Sequence, residues 1–184
     1  MLNVLVQLLD EATPRWHRAI EREWPYGPHG DMPGPEAFLC TAIAWAAMQH
    51  DFDVFPEASY GSSTERMDFV ARTPEGQLLA LEFKMVGGRG RPNLDGLVQV
   101  SNKLTSFSRS FDSSRICFRG LVIGSWNEQL TDAWQAVAAE TEPRSQLAAN
   151  IQDLLVRYEV VLPRPVWTSA EQQSFHLLVA SLAE

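Results

Sequence analysis

The sequence is short of cysteine, of clustered histidine and of long apolar runs, and each shortage removes a class of function. Its two cysteines, Cys40 and Cys117, lie far apart in apolar stretches, with no CxxC pair and no Cys/His cluster. That argues against a disulfide scaffold and a structural zinc site, and predicts two buried free thiols suited to a reducing cytoplasm. The four histidines, His17, His29, His50 and His176, show no metal-ligand spacing, and His176 between Phe175 and Leu177 reads as a core-edge residue. No apolar run approaches the roughly 18 residues of a membrane span. Met1 to Asp10 is apolar but has neither a basic n-region nor a small-residue cleavage site, so it reads as the start of a helix rather than a signal peptide. A cytoplasmic protein that avoids membranes is the expectation. There is no GxSxG elbow, and Gly87-Gly88-Arg89-Gly90 is not followed by the Gly-Lys-Ser/Thr of a phosphate-binding loop. Basic residues are also scarce, 15 against 23 acidic, for a net charge of -8. Such a chain is unsuited to coating nucleic acid nonspecifically, which takes Lys and Arg on phosphates.

What is present is a globular composition, 45% hydrophobic with six Trp in 184 residues, enough for one domain with a sizeable core. The charge is unevenly spread. Residues 60–119 carry nine Lys and Arg against six Asp and Glu, which leaves six against seventeen for the rest. The middle third is mildly basic between acidic flanks.

Periodicity and turn residues divide the chain. Leu2 to Trp24 predicts an amphipathic helix, with a break at Pro14 allowed. Pro25 to Pro35 is a loop, and Pro35 to His50 a helix apolar on most of its surface. Strands follow at Asp53 to Ala58, Arg66 to Arg72 and Gln77 to Val86, the last two joined by the turn Thr73-Pro74-Glu75-Gly76. Asn93 or Asp95 caps a helix running to about Phe111, and Arg115 to Gly124 is a fourth strand. Helices over Glu128 to Glu140 and Arg144 to Arg157, a strand over Tyr158 to Leu162 and a closing helix over Ser169 to Leu182 complete the order. The expectation is one α/β domain with a mixed central sheet flanked by helices, its core at about residues 35–124 and a helical extension over 125–184.

The chemistry concentrates in Arg66-Met67-Asp68-Phe69-Val70 and Leu81-Glu82-Phe83-Lys84-Met85. Strand side chains alternate faces, so Glu82 and Lys84 point the same way. The position midway between Asp68 and Glu82 is residue 75, inside the turn, so a hairpin sets the two carboxylates side by side. Two adjacent carboxylates repel unless a cation joins them. A hard divalent ion, Mg²⁺ or Mn²⁺, does that through one or two carboxylates together with water and phosphate. A lysine on the same face can orient the attacking water and stabilise negative charge in phosphodiester hydrolysis. The following loop offers Arg89 and Arg91 as phosphate contacts.

This arrangement resembles the PD-(D/E)xK, or restriction-endonuclease-like, nuclease superfamily. Asp68 matches the family's first acid and Glu82-Phe83-Lys84 its second half, while residues 35–124 match its αβββαβ core, about half the chain. The proline that often precedes the first acid is replaced by Met67. The resemblance implies a Mg²⁺-dependent nuclease acting on DNA, with Asp68, Glu82, Lys84 and Gln99 catalytic. Glu36, Asp68, Glu82 and the Phe83 carbonyl would hold the metal, and Lys103 would join Arg89 and Arg91 in contacting nucleic acid. Cutting both strands needs two sites, which a homodimer would provide. The alternative is a non-catalytic protein of the same fold, a regulatory subunit whose acidic flanks, chiefly Trp126 to Glu184, dock a protein partner.

Overall fold

The computed structural model describes residues 2–23, 35–59, 66–86, 92–110, 116–168 and 174–182. Helix α1, Leu2–Glu23, runs through Pro14 without a break. A proline inside a helix costs about 3 kcal/mol. Leu5, Leu8, Leu9, Ala12 and Trp16 recur at helical spacing on both sides of it and are buried, and each large one contributes about 1.5–3 kcal/mol. Burial therefore outweighs the defect, and the Pro14 ring sits on the exposed face. Helix α2, Pro35–Gln49, is apolar nearly all round because it lies between α1 and the sheet.

Strands β1 (Asp53–Ser59), β2 (Arg66–Arg72) and β3 (Leu78–Val86), all three expected, form an antiparallel meander. Helix α3, Asp95–Ser110, then crosses over to β4, Ile116–Ser125, which pairs parallel to β3. Leu97, Val100, Leu104 and Phe107 of α3 recur every three or four residues and pack on the sheet face opposite α1 and α2. Helices α4 (Glu128–Ala138) and α5 (Gln146–Leu154) lie on that same face, with Asn127 and Ser145 capping their first turns.

Residues 125–184 are not a purely helical extension. They add β5, Tyr158–Thr168, and β6, Ser174–Leu182, where a closing helix was the expectation. The strand order is β1-β2-β3-β4-β6-β5, so β6 lies inside the sheet. Its Phe175, Leu177 and Val179 face one core while Leu178, Ala180 and Leu182 face the other. A strand buried on both faces loses its polar alternation and reads as a continuous apolar run, which a helix would equally explain. Strand β5 extends past the expected Leu162 through Pro163 and Pro165, which fall at its register breaks. An edge strand tolerates prolines there.

The result is one mixed α/β domain, a six-stranded mixed sheet with five helices on its two faces among the described residues. Among these residues no helix is long and apolar enough to cross a membrane. Cys40 is a free, half-buried thiol, and the side chain of Cys117 lies outside the described set.

Candidate functional site

The β2–β3 ladder runs from Arg72–Leu78 to Phe69–Leu81 and stops one residue short of Asp68 and Glu82. On the other side of β2 the pairing with β1 steps from Pro56–Phe69 to Ala58–Met67, and Glu57, opposite Asp68, takes a left-handed φ of 53°. Asp68 thus sits where β2 loses regular pairing on both sides. Side-chain carboxylates take over the bonds the ladder no longer makes. The Asp68 N–H donates to Glu82 Oε1 at 3.0 Å, and the Phe83 N–H donates to Asp68 Oδ2 at 2.9 Å. Two residues on, the Met85 N–H donates to Glu36 Oε1 at 2.9 Å. A backbone N–H left without an acceptor in such a place costs about 1–3 kcal/mol, so the three acids are fixed to the strand edge by need as well as by charge.

The cations divide between them. Lys103 Nζ, reaching over from α3, lies 2.5 Å from Glu82 Oε1 and 3.6 Å from Asp68 Oδ1. Lys84 Nζ lies 3.7 Å from Glu36 Oε2. The Glu82 side chain is only 2% exposed against 27% for Asp68 and 44% for Glu36, so Glu82 is the group whose charge most needs company. Burial pushes its carboxyl up to about 7. The Lys103 hydrogen bond and the Asp68 N–H pull it down, and the Asp68 charge pushes it further up. Behind the pair, Cys40 on α2 donates its thiol to the Asp68 carbonyl at 3.5 Å. Burial and the negative charges of Asp68 and Glu57 raise that thiol to about 11, which keeps it protonated and a donor.

The sequence-derived residues therefore fall into four groups. Asp68 and Glu82 come together, and Glu36 joins them along the β3 edge through Met85. Lys84 turns to Glu36, whereas Lys103, expected to contact nucleic acid, occupies the space between the acids. Gln99 is exposed one helical turn before Lys103. Arg89 and Arg91 lie outside the described residues. Sequence reasoning missed Cys40 as a neighbour of the site. The signal was there in its spacing, since Glu36 and Cys40 are i and i+4 on α2 and share a helix face.

Among the described residues no three His, Cys, Asp or Glu side chains are grouped so as to hold a metal ion. Mg²⁺ does not require three, because it keeps several waters and takes one or two carboxylates. The Asp68–Glu82 pair meets that requirement, since it already converges on one cationic atom, Lys103 Nζ. The N–H and C=O of a strand residue face the same neighbour, so the Phe83 carbonyl faces the Asp68 side as its N–H does. Glu36 is engaged on both oxygens, by the Met85 N–H and by Lys84. Comparisons with protein-family models, with curated proteins and with solved structures give no match for this chain.

Proposed function

We propose that this protein is a Mg²⁺-dependent nuclease of restriction-endonuclease-like design that hydrolyses phosphodiester bonds, with DNA as the favoured substrate. Support comes from the element order α2, β1, β2, β3, α3, β4, which follows the αβββαβ order of that superfamily, and from a parallel β3–β4 pair. The observation that carries the reading is the meeting of Asp68 and Glu82 on one cation where the β2–β3 ladder ends. Asp68, Glu82 and the Phe83 carbonyl would hold the ion, with Glu36 supporting Met85 at its edge. A divalent ion there supplies Lewis-acid polarisation of a phosphate oxygen. Lys84, half-buried and ion-paired with Glu36, would orient the attacking water and balance charge gathering on phosphorus. Gln99 and Lys103 on α3, with Arg89 and Arg91 following β3 in sequence, would bind the phosphates flanking the scissile bond.

Plasmid cleavage in Mg²⁺ or Mn²⁺ tests this. Wild type cuts, and Asp68→Ala and Lys84→Ala fall to background; equal cleavage by all three overturns the assignment.

A second reading has its own observation. Every acid of the cluster accepts a backbone N–H and pairs with a lysine, so the cluster also works as a purely structural clasp in a non-catalytic, partner-binding protein with acidic flanks. Calorimetry separates the two, because the clasp gives no heat with Mg²⁺ or Mn²⁺.

A further inference from the structure

Three acidic and two basic groups in the site are unevenly matched. Glu36 and Lys84 form a pair of their own, exposed enough for water to share in it. When both are ionised, Asp68 and Glu82 carry two negative charges between them and, among the described residues, receive one positive charge, from Lys103. The doubly ionised pair is thus under-neutralised among these residues, and the more buried member, Glu82, has the shorter contact. A divalent ion in the same place would match both charges, whereas an ion and an ammonium sharing it would repel at close range in a weakly solvated setting.

The lysine has somewhere to go. Its side chain is 23% exposed, and its helical neighbour one turn back, Gln99, faces solvent. The anchor of its helix does not depend on the ion pair, because Leu97, Val100, Leu104 and Phe107 hold α3 to the sheet. A long flexible stem on a fixed helix can release its head group without moving the backbone.

We infer that Lys103 is a resident counter-ion of the Asp68–Glu82 pair that exchanges with a divalent cation, so that metal entry and withdrawal of the Lys103 ammonium are one event. This rests on the metal-site reading above and adds to it a built-in competitor. The exchange sets a threshold for ion binding. It also delivers a free ammonium to the mouth of the site only when the ion is in place, where an incoming phosphate can take it up. By linkage, whatever the ion loses in affinity to the docked ammonium, the ammonium loses in docking to the bound ion.

The test is calorimetric titration of MgCl₂ into the full chain as wild type and as Lys103→Met, which keeps the stem and removes the charge. It is paired with ¹⁵N-detected NMR of the lysine ammonium groups in the wild type. The expected result is tighter Mg²⁺ binding by Lys103→Met, roughly tenfold and within the range usual for coupled sites. The Lys103 ammonium signal, protected in ion-free protein, is lost as Mg²⁺ is added. Equal or weaker binding by the variant, with wild type still binding, overturns the exchange and leaves the metal site standing. Binding by the variant alone supports the exchange and removes the nuclease reading, since the ammonium then wins in the native protein. Absence of binding in both overturns the two together. If Lys103→Met does not fold, the wild-type spectrum decides, and a Lys103 signal unchanged at saturating Mg²⁺ overturns the exchange.

Discussion

The β2–β3 pair ends in two different ways. At the turn, main chain closes on main chain. The Thr73 N–H donates to the Gln77 carbonyl at 2.9 Å, the Gly76 N–H donates to the Thr73 carbonyl at 2.9 Å, and Thr73 Oγ1 adds an acceptor for the Gln77 N–H at 3.3 Å. At the other end the same two strands part, and the N–H groups of Asp68 and Phe83 are met by carboxylates. Both ends satisfy their donors, so neither carries an obvious penalty. They differ in what remains once the bonds are made. A carbonyl that has accepted is neutral and finished. A carboxylate has a second oxygen and, when ionised, a charge, and these can act on something that is not part of the strand. The site end does structural work and keeps chemical capacity; the turn end does only the first.

The largest break in this comparison comes from Asp68. Asp68→Ala removes the acceptor of the Phe83 N–H and one of the two charges, so it should cost about 1–3 kcal/mol of stability and abolish Mg²⁺ binding. Asp68→Asn keeps an oxygen for the N–H and loses the charge. Its melting temperature should stay near wild type while Mg²⁺ binding is lost as fully as in the alanine variant. Denaturant unfolding beside calorimetry reads both, and a large stability loss in Asp68→Asn would mean that charge rather than hydrogen bonding holds the strands there.

A smaller effect follows from Glu82. Its carboxyl stands at about 7 in the folded protein against an ordinary value of 4.5, chiefly because it is buried. Below the ordinary value both folded and unfolded chains keep the proton. Between 4.5 and 7 the unfolded chain releases it and the folded chain retains it, so stability falls as pH rises and levels off above 7. Glu82→Gln cannot titrate. The wild-type melting temperature should therefore drop relative to Glu82→Gln by roughly several degrees from pH 4.5 to pH 7.5 in metal-free buffer. A constant difference across that window would show that Lys103 fully compensates the buried charge.

The smallest effect lies at the turn. Gly76 has φ of 84° with open space where a Cβ would stand. Gly76→Ala meets no clash and costs only the left-handed backbone, about 1 kcal/mol. It should lower thermal stability slightly and leave Mg²⁺ binding untouched, and a change in Mg²⁺ affinity would mean that the two ends of the pair communicate.

The turn end was the legible one. Thr73-Pro74-Glu75-Gly76 fixes the hairpin, and the hairpin fixes the register that brings Asp68 opposite Glu82, all from local sequence. The meander, the α3 crossover and β4 follow from periodicity in the same way. What sequence does not carry is where a helix stands over a sheet. Lys84 and Lys103 were both visible as cations near the acids. That Lys84 pairs with Glu36 depends on the reach of the α2 N-terminus to Met85, and that Lys103 falls between Asp68 and Glu82 depends on the seat of α3. Both are long-range packing outcomes. β6 was misread for a different reason: a strand with a core on each face has no alternation left to read.

The order in which the chain is made meets a difficulty at α1. Helix α1 lies against strands more than 140 residues further along: the tilted rings of Trp16 and Phe175 of β6 meet at 4.2 Å between centroids, and Arg164 of β5 reaches the Val6 carbonyl and the Asp10 carboxylate. Until β5 and β6 have left the ribosome, part of the apolar face of α1 lacks these partners. Such distant contacts slow folding, and loss of the C-terminal hairpin would uncover the N-terminal helix along with it. Helix α1 and the β5–β6 pair share one fate, while the strands that carry the acids lie between them in sequence and can pair early.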